Sequence, residues 1–430
     1  MSAKRAAVAE TAGSLTWSDE SPAIQCAREF RAIGDGEGYS LRLLEVPIEF
    51  ELDRARRDHG ELTGQLTVRT GLTGARTYQG ILNVGTFNCS SPTARNTRAK
   101  QLAELSRAPQ IDWLRLIEEF SILVLNAERA GGPAVDLRTV PPASPADSLD
   151  VHGFRILHSH PMIAFGDGGS AKSLMALSIA GELAQGGIRV GYADWELSPE
   201  EHRTRLEQLF GPRMPELFYI RCSRPMTSEA DRIRRLVREH ALTYLICDSI
   251  SFACDGPPEA AEVAARYFQC LRQIGVGSLS LAHTNKSDDA DKKPFGSAFW
   301  HNGARATWNI KRSETSGDGR SIIVGCYNRK SNLGALQRAL GFRIAFDDDR
   351  IAIAPVNIAT VDDLAGGLPL WQRMKDSVSH GPQTLAELAE HLGAKPESLD
   401  RIVRRSKNLF TRVPGSDGIA RIALVQRGSR

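Results

Sequence analysis

Gly166-Asp167-Gly168-Gly169-Ser170-Ala171-Lys172-Ser173 decides how this chain is read. The octapeptide follows an apolar run, PMIAF (161–165), and opens a helical stretch, SLMALSIAGELA (173–184). Strand, glycine-rich turn and helix in that order form the P-loop pattern. Successive main-chain N–H groups and a helix N-terminus can satisfy the charges of a triphosphate with no side chain in the way. Gly166, Gly168 and Gly169 allow the backbone to curl and approach closely. Lys172 is placed to reach the β- and γ-phosphates, and the Ser173 hydroxyl to ligate Mg²⁺. With Asp167, Ser170, Ala171 and Leu174, the whole stretch 166–174 is expected to bind ATP. Ala171 stands where glycine is usual; alanine is small and suits a helix start, so tolerance is expected.

A second acid should come after the loop. LTYLICDSI (242–250) is an apolar strand that ends in Asp248, the position of a carboxylate that orders the Mg²⁺ shell. The next residue is Ser249 rather than Glu, so the catalytic base must come from elsewhere. RVGYADWE (189–196) places Glu196 at the C-terminal end of the next strand, facing the same edge as the phosphate loop. A carboxylate there can orient and deprotonate a water. Asp194 is the rival on the same strand, and a cap for the helix starting near Ser198-Pro199-Glu200 is the other use for Glu196.

Short apolar runs alternate with helical stretches from Val151 to about residue 357, which argues for an α/β domain with a mainly parallel sheet. Two further β-like runs, SIIVGCYNRK (321–330) and FRIAFDDDRIAIAPV (342–356), close it. Ahead of this domain, residues 39–75 alternate apolar and polar, as in a hairpin or small antiparallel sheet. IDWLRLIEEFSILVLNAER (111–129) has helical spacing, making residues 39–130 a small α+β domain. Residues 1–38 are polar and small, a loosely attached lead. Residues 131–150, rich in Pro, Ala, Ser and Asp, are a linker.

The chain has 430 residues, more than one core holds, so two or three domains are expected. No apolar run is long enough to cross a membrane, and the N-terminal stretch lacks the apolar core of a secretory signal. Seven cysteines include no C-x-x-C pair, which disfavours zinc sites and a disulfide framework and suits a reducing cytoplasm. A net charge of +3 points to no partner by itself, but residues 368–430 hold 11 Lys/Arg against 6 Asp/Glu. Within that tail, LPLWQRMKDSV (368–378) is one helix. Thr384 and Glu387 form a capping box that opens a second, and Pro396 opens a third. Strand, turn and strand come next (410–426). This is the order of a winged helix over 366–430. Its third helix carries Arg401, Arg404, Arg405 and Lys407, and its wing Arg412, a set suited to duplex DNA or to protein docking.

A P-loop, an acid ending the next strand, and an Asp248 strand without a following Glu resemble the RecA-like fold. Within it the chain resembles the RepA/KaiC/DnaB-like ATPases, above all the plasmid and phage hexameric replicative helicases of the RepA type. SLSLAHTNK (278–286) is similar to their H-H-x-N-K string, with Ala282 in place of the first histidine. The resemblance implies that His283 senses the γ-phosphate, against a plain histidine hydrogen-bonded at a strand end. It also implies that 287–295, with Lys292, Lys293 and Phe295, is a pore loop for single-stranded DNA, against a solvated charge run. Arg329 and Lys330, with Asn332 beside them, match a hairpin element that reaches a neighbouring subunit's nucleotide, against a basic tip in solvent. The same resemblance implies a homo-oligomer, a hexamer, that hydrolyses Mg-ATP to drive DNA replication. The alternatives are an ATP-switched DNA-binding regulator or loader that unwinds nothing, and a recombination mediator.

Overall fold

Alternation of apolar and polar residues builds the first of two units, Met1–Pro141 and Pro142–Arg430. The computed structural model describes residues 26–33, 38–131, 134–142, 148–284, 293–315, 319–415 and 417–425. In the first unit, β1 (Arg28–Ile33), β2 (Gly38–Leu43), β3 (Ile48–Asp58), β4 (Glu61–Thr70) and β5 (Ile81–Asn88) form an antiparallel meander in chain order. Leu41, Phe50, Leu52, Leu66 and Val68 point inward and are fully buried. They meet α1 (Pro92–Ser106) and α2 (Trp113–Ala130), whose Leu102, Ile117, Phe120 and Val124 are equally buried. Each such side chain contributes about 1.5–3 kcal/mol by leaving water.

Two boundaries differ from the sequence reading. Part of the expected lead, residues 28–33, is strand β1, paired to β2 at the sheet edge. REFRAI hid it because its charges break the apolar alternation: Arg31 is exposed at the sheet edge, and Arg28 pairs with Glu119 of the second helix, Trp113–Ala130. Residues 1–25 and 34–37 lie outside the described residues. The expected linker also ends early, because β6 (Ser148–Val151) already pairs with β7 (Phe154–Leu157).

The second unit is built on a nine-stranded sheet. It comprises β8 (Pro161–Phe165), β9 (Val190–Asp194), β10 (Leu217–Arg221), β11 (Tyr244–Asp248), β12 (Gly277–Ala282), β13 (Ala306–Arg312), β14 (Ser321–Ser331), β15 (Leu340–Phe346) and β16 (Ile351–Pro355). The order is β10-β9-β11-β12-β8-β13-β14-β15-β16. The six strands from β10 to β13 run parallel, and β14 to β16 add antiparallel. The fold is therefore mixed α/β with a large, mainly parallel sheet. Helices α3 (Lys172–Gln185) and α4 (Pro199–Phe210) and the β6–β7 hairpin cover one face. The other face carries α5 (Met226–Glu239), α6 (Ile250–Ala253), α7 (Ala261–Ile274) and α8 (Ala298–Gly303). Burial on both faces explains why PMIAF and YLICD read as unbroken apolar runs.

After α9 (Asp362–Ala365), the tail folds as α10 (Leu370–Ser379), β17 (Gln383–Thr384), α11 (Leu385–Leu392), α12 (Pro396–Arg405), β18 (Phe410–Pro414) and β19 (Ala420–Leu424). Thr384 caps α11 in a reciprocal box with Glu387, and Pro396 starts α12. The two-residue β17 makes a third strand beside the hairpin, in the order β17-β19-β18. Arg401, Arg405 and Lys407 are exposed, whereas Asp400 pairs with both Arg404 and Arg412. Among the described residues no helix is long and apolar enough to cross a membrane.

Candidate active site

The glycine-rich loop leaves the C-terminal end of β8 and turns into α3. A Cβ on Gly166 would lie 2.1 Å from the Ile310 carbonyl oxygen on β13, so no larger residue fits. Gly169 holds φ +72°, a left-handed value that favours glycine. A Cβ on Gly168 meets no protein atom within 4 Å, so that position faces open cleft. Ala171, at the N-cap of α3, has φ 65° and ψ 21°. It is thus no ordinary helix start: the position is left-handed and costs alanine about 1–2 kcal/mol relative to an allowed backbone. No side chain caps α3, which leaves its first N–H groups for a ligand.

Lys172 is buried, and its ammonium donates to the carbonyls of Gly166 (2.9 Å) and Asp167 (2.7 Å). Burial lowers its pKa, against the pull of Asp248, Asp167 and Glu196. The Asp167 carboxylate accepts from the Thr284 hydroxyl, tying the loop to the residue after His283. Leu174 lies on the cleft wall and is buried in the core below it.

Asp248 ends β11, one strand away from β8 across β12. Its carboxylate accepts from the Tyr192 hydroxyl (2.9 Å) and from Ser173. Burial pushes its pKa up to about 6, outweighing those two hydrogen bonds. Ser173 and Asp248 form a hard-oxygen pair, and among the described residues no cluster of three His, Cys, Asp or Glu could hold a metal alone. That donor set fits Mg²⁺, which takes one or two protein oxygens and completes its shell with phosphate and water.

Glu196 lies just past the end of β9 and faces the same cleft. Its carboxylate accepts from the Ser249 hydroxyl. It does not cap α4, because that helix is capped by Ser198 in a reciprocal box with Glu201. Nor is Asp194 open to a ligand. It is fully buried and accepts from Glu196 N–H (2.9 Å), Leu197 N–H (3.0 Å) and His202 Nε2 (2.7 Å). His283 also lines the cleft, with its pKa lowered by burial and then by Lys172, so it is the neutral imidazole at pH 7.

The cleft holds about 700 Å³ and extends beyond these residues. Arg205 and Gln208 of α4, Arg312 at the end of β13, and Ile322, Phe346 and Ile351 of the antiparallel strands complete its wall. Sequence reasoning missed all of these. Arg205 and Gln208 carry a detectable signal, a three-residue spacing on one helix face. The others come from distant strands with no motif.

Arg329 and Lys330 do not join this cleft. Lys330 registers with Thr307 near the start of β13, whereas the loop leaves β8 beside Asn309. Both residues therefore sit toward the opposite edge of the sheet. The Lys330 ammonium donates to the carbonyls of His301 (2.8 Å), Asn302 (2.9 Å) and Ala304 (2.8 Å) at the end of α8. The Arg329 guanidinium lies 4.9 Å over the Tyr327 ring, and Asn332 N–H donates to Arg305 O. Of the expected pore loop, Lys293 is exposed and Phe295 N–H donates to His283 O (2.8 Å). Asn285, Lys286 and Lys292 lie outside the described residues.

Residues 135–289 match the family described as AAA domain, just over a third of the chain. No curated protein matches. Among solved structures, the chain is similar to one described as an ATPase domain, at 11% identity and TM-score 0.38, covering 46% of this chain and 85% of that one. A KaiC-like protein from Pyrococcus horikoshii OT3 gives 14% identity, TM-score 0.37 and coverage of 46% and 91%. The flagellar accessory protein FlaH from Methanocaldococcus jannaschii gives 15%, 0.37, and 48% and 93%. With the loop geometry above, the family match over 135–289 supports reading the core of the second unit as a P-loop ATPase domain.

Proposed function

We propose that this chain hydrolyses Mg-ATP in the cleft and, as an oligomeric RecA-like ring, works as a replication motor of the helicase kind on single-stranded DNA. The observation that carries the chemistry is the convergence of Lys172, Ser173, Glu196, Asp248, Ser249 and His283 on one cleft. Loop amides, the start of α3 and Lys172 hold the phosphates. Ser173 and Asp248 would hold Mg²⁺, which would supply charge neutralisation for the phosphates. Glu196 takes the proton of the attacking water, and the Ser249 hydroxyl holds its carboxylate in place. Neutral His283 offers a hydrogen bond to the γ-phosphate and adjoins the loop toward DNA. The apolar end of the cleft, with Ile322, Phe346 and Ile351, suits the nucleobase. The test is ATP turnover with and without single-stranded DNA, together with the mass of the assembly. DNA-stimulated turnover by a multimer is expected, and a monomer indifferent to DNA would overturn the motor.

A second reading is an ATP-switched DNA-binding regulator or loader. It is favoured by the three carbonyl partners of Lys330, which engage that cation within its own chain. Strand displacement at limiting ATP separates the two: the motor displaces a strand and the switch does not.

A further inference from the structure

Asp194, His202 and Tyr192, all buried, form a polar cluster with the half-buried Tyr219 that the chemistry above leaves unused. Asp194 is the last residue of β9, and its carboxylate gathers three donors. Oδ1 accepts from the Glu196 amide, and Oδ2 from the Leu197 amide and His202 Nε2. His202, on α4, is itself buried. Its ring lies 4.6 Å from that of Tyr192 and 5.7 Å from that of Tyr219. The two tyrosines are register partners on the neighbouring strands β9 and β10, so they stand side by side. Tyr192 donates to Asp248 (2.9 Å), and Tyr219 donates to the Leu197 carbonyl (2.7 Å). The turn 195–197, which presents Glu196 to the cleft, is thus anchored through the Glu196 and Leu197 amides to Asp194, through the Trp195 amide to the Asp248 carbonyl, and through the Leu197 carbonyl to Tyr219 and Arg221.

We propose that His202 is a positioning residue: by donating to Asp194 it locks the turn that aims Glu196. The inference rests on the reading of Glu196 as the base. Asp194 needs this donor, because a buried carboxylate that loses one of three hydrogen bonds loses orientation as well as energy. Among the described residues His202 Nδ1 is buried without a hydrogen-bond partner. The ring therefore acts through Nε2 alone, and a glutamine amide, which reaches a similar distance, can stand in for it. Asparagine is too short to do so.

Amide exchange in the full-length, nucleotide-free chain tests the idea without reference to activity. His202→Asn should speed exchange at the Glu196 and Leu197 amides about tenfold or more, and His202→Gln should hold it within about threefold of the native rate. In turnover, His202→Asn should lower kcat about tenfold or more, leave ATP affinity within about twofold, and recover in His202→Gln. Native exchange at 196–197 in His202→Asn, or equal losses in the Gln and Asn variants, would overturn the proposal. If the native chain shows no turnover while the exchange pattern holds, the ATPase reading fails and the locking of the turn stands.

Discussion

Lys172 and Lys330 stand toward opposite ends of the strands of one sheet, and both ammonium groups are held by backbone carbonyls. The likeness ends there. Lys172 rests on two carbonyls of the loop it belongs to, beside a cleft that also holds acids and a free helix N-terminus. A phosphate entering that cleft offers a stronger, charged acceptor, so the two carbonyls are replaceable partners. Lys330 instead closes the C-terminal end of α8, where three carbonyls and the negative end of the helix dipole converge. A lysine held by what a ligand can replace is poised for chemistry. One held by what the fold requires is a clamp until something stronger displaces it.

Substitutions can break this contrast. The largest effect is expected at the cleft edge, where Lys172→Ala should lower ATP turnover by more than roughly 10⁴-fold. Unchanged turnover would remove this loop as the phosphate site. Next, Glu196→Gln should leave nucleotide affinity intact and slow hydrolysis by roughly 10³-fold, read by binding and single-turnover assays on the same preparation. Full activity would move the base elsewhere along the cleft. At the far edge, Lys330→Ala should lower stability by about 1–3 kcal/mol, seen as a shift in the denaturation midpoint, because three carbonyls lose their donor. Mixed with native chain, the same variant should poison hydrolysis beyond its share if the cation also acts on a neighbour's nucleotide. Strictly proportional dilution would leave only the clamp. The smallest effect is at Ala171→Gly, which should raise stability by about 1 kcal/mol by relieving a left-handed alanine. A loss of stability there would show that the helix start needs its methyl group.

Legibility in the sequence obeys the same contrast. Phosphate chemistry imposes spacing, so 166–174, Asp248 and Glu196 are readable from local strings. The Thr384–Glu387 box is readable because capping acts over three residues. Arg312, Phe346 and Ile351 are not, because β13 and the antiparallel strands β15 and β16 bring them to the cleft from far along the chain and tertiary pairing leaves no local pattern. Strand β1 escapes because edge charge masks alternation, and β17 because two residues carry no period. Ala171 misleads for a different reason: its size suggests tolerance, whereas its backbone conformation decides its strain.

The contact between Gly166 and the Ile310 carbonyl has a mechanical meaning. A side chain at position 166 would have nowhere to go, so the loop and β13 adjoin without slack. Two residues beyond Ile310, the same strand ends in Arg312. Rigid strands transmit a push rather than absorb it. A ligand that pushed on the loop would therefore push on β13, and through it on the antiparallel strand paired with it.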